Sequence, residues 1–180
     1  MLLEAGRSAL IVVDVQDRLA AAMTAGEAAI ARCAVLMKAA RRLAVPIVMS
    51  EQYPKGLGAT VAALAALAPA DAAIAKLSFS CAGEPAFAAR LATLERDQLV
   101  LCGMETHVCV LQSALGLAAA GACVAVVEDA VASRHPADKA AALRRLDRAG
   151  VEIVTSEMVV FEWLGRAGTP EFKDLSALIR

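Results

Sequence analysis

Six short stretches of the chain are almost wholly apolar, at 9–13, 46–49, 72–75, 99–102, 123–127 and 151–154. They read as continuous runs rather than alternating ones, the pattern of strands covered on both faces. Helix-like periods lie between several of them. In 28–44 the positions Ile30, Ala34 and Met37, with Val45 just beyond, fall near one face, while Arg32, Lys38, Arg41 and Arg42 supply polar points around it. Pro85 and Pro136 suit first helical turns, and the helix after Pro136 carries Leu143 and Leu146 and stops near Gly150. Thr169-Pro170 has the form of an N-cap and first-turn pair opening a last helix with Phe172, Leu175 and Leu178. Strand–helix alternation of this kind predicts right-handed βαβ units and one doubly wound α/β domain over 1–180. The stretch 50–69 breaks the alternation. Its centre, EQYPKGLG, is rich in turn residues, and a loop is expected there, covering a site.

Composition changes this picture at a few points. Hydrophobic residues make up 59% of the 180, and 106–127 holds no Asp, Glu, Lys or Arg, a length sufficient for a membrane span. That stretch also contains Thr106, His107, Gln112, Ser113, Gly116 and Gly121. Gly121 fits the position just past a helix, and ACVAVV after it fits a strand, so helix–turn–strand is expected and no membrane partner. No basic region followed by an apolar leader opens the chain, so no signal peptide is expected. Five cysteines without a C-x-x-C pair suggest reduced thiols and a cytoplasmic setting. A formal net charge of −1 with 3% aromatic residues gives no footing for nucleic acid.

The candidate chemistry sits just beyond the apolar runs. Asp14 follows ALIVV, Lys76 follows AAIA, and Cys109 stands seven residues after LVLC. Strands of a parallel sheet end at one edge, where ligand sites form. An acid, a cation and a thiol gathered there would make a nucleophile with its activators. Cys109 precedes the apolar helix VLQSALGLAAA, and a helix N-terminus favours thiolate and can stabilise an oxyanion. Each residue also has a structural reading: an inert buried thiol, a capping carboxylate, a surface lysine.

The segments LIVVDVQD, SEQYPKGLG, KLSFS and GMETHVCV, in this order, resemble the isochorismatase-like cysteine hydrolases. EQYPKGLG, KLSFS and the ending TPEFKDLSALIR look most like the isochorismatase-domain-containing subgroup. The resemblance implies a three-layer αβα sandwich around a six-stranded parallel sheet of order 3-2-1-4-5-6. It also implies an Asp14–Lys76–Cys109 triad, an oxyanion hole from the backbone N–H groups of Glu105 and Cys109, and a cis peptide between Met104 and Glu105. The implied reaction is hydrolysis of a small amide or carbamoyl C–N bond through a thioester. Nicotinamidases of the superfamily carry an Asp-x-His metal motif where this chain has SEQYPKGLG, without histidine. His107 and His135 are its two histidines, so no metal and no cofactor are expected. A vinyl-ether hydrolase using Asp14 and Lys76, and a binding protein that has lost turnover, stand as alternatives.

Gln16, Tyr53, Leu57 and Phe79 are candidate substrate contacts, each with an alternative in packing or strand-end hydrogen bonding. His107 stands two residues before Cys109, but neighbours at a helix start point in different directions. Asp129 is expected to cap a following segment, Trp163 to pack in the core or at a subunit contact, and Cys33, Cys81, Cys102 and Cys123 to be structural. Of these four thiols, Cys81 is the one whose exposure bears checking. The apolar helices and tail point to a homo-oligomer, and the expected partner is a small-molecule substrate.

Overall fold

The computed structural model describes residues 1–179. Its centre is a six-stranded, all-parallel sheet in the order β3-β2-β1-β4-β5-β6. The strands are β1 (Ser8–Val13), β2 (Ile47–Gln52), β3 (Ala73–Lys76), β4 (Gln98–Met104), β5 (Cys123–Ala132) and β6 (Glu152–Val154). Two helical layers cover the sheet. One holds α2 (Gly26–Arg42), α4 (Ala62–Ala65), α8 (Ser156–Leu164) and α9 (Pro170–Ser176). The other holds α5 (Pro85–Ala92), α6 (Leu111–Ala119) and α7 (Pro136–Arg148). Two four-residue helices, α1 (Asp17–Ala20) and α3 (Pro54–Leu57), lie beyond the ends of β1 and β2.

Residue parity divides the core. In β1, Leu10 and Val12 pack toward the α2 layer, while Ala9, Ile11 and Val13 pack toward the α5–α7 layer. Both faces are therefore apolar, which is why the strand reads as an unbroken run. Helix signals hold at the prolines: α5 starts on Pro85, α7 on Pro136, and Thr169 Oγ1 accepts from the Phe172 N–H at 3.1 Å. The uncharged stretch 106–127 is a turn, α6, a bend at Gly121 (φ +95°) and the start of β5. Among the described residues, no helix is long and apolar enough to cross a membrane.

Three expectations need correction. The stretch 50–69 is not one loop: Ser50 to Gln52 belong to β2, and α3 and α4 occupy much of the rest. β5 runs on to Ala132, past Glu128 and Asp129, where the apolar run had suggested an end. Asp129 sits in the strand because its carboxylate accepts from Ser156 N and Oγ at 2.7 and 2.6 Å, capping α8 from the side. The buried line of α2 is Ala29, Cys33, Leu36, Met37 and Ala40, and Ile30 and Ala34 are only partly covered. In an alanine-rich helix the small residues allow close approach to the sheet, so the largest side chains do not mark the buried face.

Candidate active site

Asp14, Lys76 and the turn bearing Cys109 leave the carboxyl ends of β1, β3 and β4. β1 and β4 are sheet neighbours at the point where the connections change from one helical layer to the other. That switch point opens a crevice at the strand ends of doubly wound sheets.

Asp14 ends β1 in a left-handed conformation (φ 50°) and is fully buried. Its Oδ1 accepts from Ser50 Oγ at 2.7 Å, and its Oδ2 accepts from Lys76 Nζ at 2.7 Å. Both side chains of this ion pair have no solvent exposure. Lys76 Nζ also reaches Gln52 Oε1 at 2.6 Å and the carbonyls of Ser78 and Phe79 at 3.2 and 3.1 Å. An ammonium so enclosed must be fully hydrogen-bonded to persist, and here its donors are all engaged. Gln52 in turn donates from Nε2 to the Leu77 carbonyl at 2.8 Å. Glu84 Oε1 accepts from the Leu77 and Ser78 N–H groups at 2.9 and 2.7 Å, fixing the loop after β3. Those two bonds hold the Glu84 carboxyl below its ordinary range.

Ser50 and Gln52 were not singled out from the sequence, although a signal exists. Val48 packs in the α5–α7 core and Ile74 against it. By strand alternation Ser50, Gln52 and Lys76 then share that face, and Cys109 is a member of the same core. Polar residues two apart at the tail of an otherwise apolar strand mark the site's supporting shell.

β4 bends as it reaches the site. Its pairing with β5 shifts register between Leu101 and Gly103. Gly103 has φ +119°, and a Cβ there would lie 2.0 Å from the Val13 carbonyl oxygen, so only glycine fits beside the end of β1. The Met104–Glu105 peptide is cis, as the resemblance implied. A single π-helical turn, Thr106–Val110, follows, with the Val108 and Val110 N–H groups both bonded to the Glu105 carbonyl at 3.1 Å. Cys109 lies in this wider turn, just before α6, and is 5% exposed.

The thiol does not show the depressed pKa that a helix start suggested. Burial pushes Cys109 up from an ordinary 9.0 to about 12, and the charge of Asp14 acts in the same direction. Attraction by Lys76 offsets this only in part. The thiol is thus held protonated near the buried Asp14–Lys76 ion pair.

The remaining sequence candidates fall in different places. Gln16 is fully buried and its amide is spent on backbone: Nε2 donates to the Gln52 and Gly58 carbonyls at 3.0 and 2.7 Å, and Oε1 accepts from Gln52 N at 2.8 Å. It ties the α3 loop to the end of β2. Tyr53 is 53% exposed, and its ring lies over Gly56, where a Cβ would come within 2.4 Å. With Pro54, Lys55, Ala75, Lys76, Leu77 and Glu84 it lines a cleft of about 420 Å³ along the open edge of β3. This cleft borders the Lys76 end of the site, and neither Asp14 nor Cys109 is in its walls. Leu57 is half-buried, and Phe79 is exposed rather than part of the core. His107 has its ring nitrogens near other partners, with Nδ1 3.0 Å from Ser133 Oγ and Nε2 3.9 Å from Asp138. Trp163 is buried, its Nε1 donating to Ser8 Oγ at 2.9 Å. Cys33, Cys81 and Cys102 are buried and Cys123 is partly exposed. Among the described residues, no group of three or more His, Cys, Asp or Glu is placed to hold a metal ion.

Comparison with known proteins places this arrangement. Residues 8–158 match the model of the isochorismatase domain. Isochorismatase domain-containing protein 2 of Bos taurus is 38% identical over 178 residues, covering 97% of this chain and 84% of that protein. Isochorismatase domain-containing protein 1 of Danio rerio is 42% identical over 146 residues, 81% of this chain, and the match spans about half of that longer protein, 51%. The solved structure of MAR1 ribonuclease from Caenorhabditis elegans superposes with a TM-score of 0.93 at 35% identity, over 99% of this chain and 92% of that one. A domain match over residues 8–158, a relative 38% identical across nearly the whole chain and a superposition at a TM-score of 0.93 lead to one assignment: the chain belongs to the isochorismatase domain family.

Proposed function

We propose that the protein is a metal-independent cysteine hydrolase acting on a small amide, carbamoyl or related C–N bond, with Asp14, Lys76 and Cys109 as its triad. The observation that carries this reading is the buried Asp14–Lys76 ion pair at the strand ends, the edge at which the turn bearing Cys109 leaves β4. As the Cys109 sulfur attacks the carbonyl carbon, its proton passes to Asp14 and the S–C bond forms. Negative charge moves to the carbonyl oxygen, where the N–H groups of Glu105 and Cys109 receive it. The C–N bond then breaks, with Asp14 returning the proton to the departing amine. Water, giving a proton to Asp14, hydrolyses the thioester and restores the thiol. Lys76 holds the carboxylate in line and offsets its charge. All of the activating groups are the chain's own side chains, so no cofactor enters the scheme.

The substrate is a small molecule whose apolar part meets Tyr53 and the cleft beside Lys76, with Phe79 and Leu57 near the same loops and Gln16 acting indirectly, by holding the α3 loop. Residues 1–180 act as one hydrolase unit. The exposed rings and chains of Tyr53, Leu77 and Phe79 around the cleft, and Met158 and Phe161 on α8, favour a homo-oligomer. Nucleic acid is not the substrate in this reading. A net charge of −1 offers no electrostatic hold on a polyphosphate chain. The five unpaired cysteines fit a reducing, cytoplasmic setting.

The test is a screen of small amides, ureas and carbamates for ammonia or amine release, with Cys109→Ala alongside. Release that disappears in Cys109→Ala supports the reading. Release that survives the substitution assigns the chemistry to another group.

A further inference from the structure

The turn that carries Cys109 is fastened from a second direction, by two consecutive residues in the connection from β5 to α7. Ser133 Oγ lies 3.0 Å from His107 Nδ1, and Arg134 Nε donates to Glu105 Oε1 at 2.8 Å. Glu105 is also the root of the turn, since its carbonyl accepts from both Val108 and Val110. The connection is itself held from behind. Thr24 N donates to the Ser133 carbonyl at 3.2 Å, and Thr24 Oγ1 to the Arg134 carbonyl at 2.7 Å. A chain of hydrogen bonds thus runs from the entry to α2, through Ser133 and Arg134, to the residues on either side of Thr106.

Stability is a weak explanation for the Arg134–Glu105 pair. The Arg134 side chain is 54% exposed, and such pairs contribute little to folding. Glu105 is different, with a side chain only 10% exposed. Its carboxylate stands a few bonds from the peptide N–H that is to receive an oxyanion. Unneutralised, it would oppose the negative charge developing there.

We propose that Arg134 is a positioning residue for the oxyanion-binding turn: through Glu105 it holds the 105–109 turn in place and offsets a carboxylate charge that would otherwise disfavour the tetrahedral intermediate. Ser133, through His107, is the second fastening of the same turn. The proposal rests on Cys109 being the nucleophile, and the test separates the two ideas.

Two reagents read different steps on the full chain. With p-nitrophenyl acetate the Cys109 sulfur attacks the carbonyl carbon, the thiol proton passes to Asp14, and the carbonyl oxygen carries the charge until the C–O bond breaks and p-nitrophenolate leaves. With iodoacetamide the S–C bond forms as the C–I bond breaks, the thiol proton passes to Asp14, iodide leaves, and no charge builds on a carbonyl oxygen. Arg134→Ala is expected to slow single-turnover acylation about tenfold or more while alkylation stays within about twofold of the wild type. Arg134→Lys, which keeps the charge but not the guanidinium geometry, recovers part of the loss. The idea is overturned if Arg134→Ala leaves both rates unchanged or slows both alike. A Cys109→Ala protein that acylates as fast as the wild type overturns the nucleophile assignment itself, and the role of Arg134 with it.

Discussion

At the scale of single residues, the site works by holding charges close together out of water. Cys109, with its pKa pushed up to about 12, holds its proton at neutral pH, so in the proposed mechanism the nucleophile is made only as Asp14 takes that proton. Asp14→Asn therefore has two effects of opposite appearance. It removes a charge that raises the thiol pKa and leaves Lys76 in place, so thiolate absorbance in the ultraviolet shifts to lower pH. It also removes the proton acceptor, and turnover falls by about 10²-fold or more. A thiolate midpoint that stays put or rises in this variant contradicts the arrangement. The linkage sign follows from the same shift. The native thiol keeps its proton above the ordinary 9.0 at which the unfolded one loses it. Cys109 therefore favours the folded state fully below pH 9, and this contribution is lost between pH 9 and about 12. In Cys109→Ala the decline in unfolding free energy over that window should be shallower. Lys76→Met leaves Asp14 buried without its counter-charge and should cost about 3–5 kcal/mol, read by urea denaturation. A loss below about 1 kcal/mol would contradict a buried, ion-paired Asp14. The buried pairing of Asp14 with Lys76 at the strand ends was legible in the sequence because each follows an apolar run. Ser50 and Gln52 were legible only through strand parity, once the strand was known to run past Met49. Arg134 was not legible at all, since nothing local to its loop marks a partner 29 residues away.

At the scale of elements, apolar runs located all six strands, but polar residues inside a strand concealed its length. Glu128 and Asp129 hid the last five residues of β5, because a capping duty toward α8 has no local signature. The π-helical turn at Thr106–Val110 was equally hidden: its wider spacing looks like an ordinary helix start in composition. Gly103 lets β4 pass close beside the end of β1. Gly103→Ala forces a side chain into the Val13 backbone in a left-handed conformation, and the end of β1 that bears Asp14 must move. This variant should lose several kcal/mol of stability, with the thermal midpoint falling accordingly. An unchanged midpoint would mean that β1 and β4 are less closely apposed than described. The α3 loop depends on Gln16 in a similar way, but through hydrogen bonds rather than close contact.

At the scale of the whole molecule, the strand order 3-2-1-4-5-6 brings distant stretches together. Asp14 and Lys76 lie 62 positions apart in the chain and 2.7 Å apart in space. The fold class was legible because βαβ alternation permits few topologies. The substrate was not, because the cleft beside β3 is built from α3 and the loop after Lys76, whose side chains carry no pattern beyond turn chemistry. Exposed Leu77 and Phe79, 74% and 54% accessible, predict self-association through this region. Sedimentation should give a species larger than the monomer, and Leu77→Lys with Phe79→Lys should reduce it. A monomer in the unaltered protein would remove the case for an oligomer.

Trapping the intermediate tests the central claim most directly. After brief exposure to p-nitrophenyl acetate, intact mass and peptide mapping should find one acetyl group, on Cys109, in the wild type. The adduct should be absent in Cys109→Ala and strongly reduced in Asp14→Asn. Acetylation at Cys123 or scattered over several side chains, with none on Cys109, would contradict the triad.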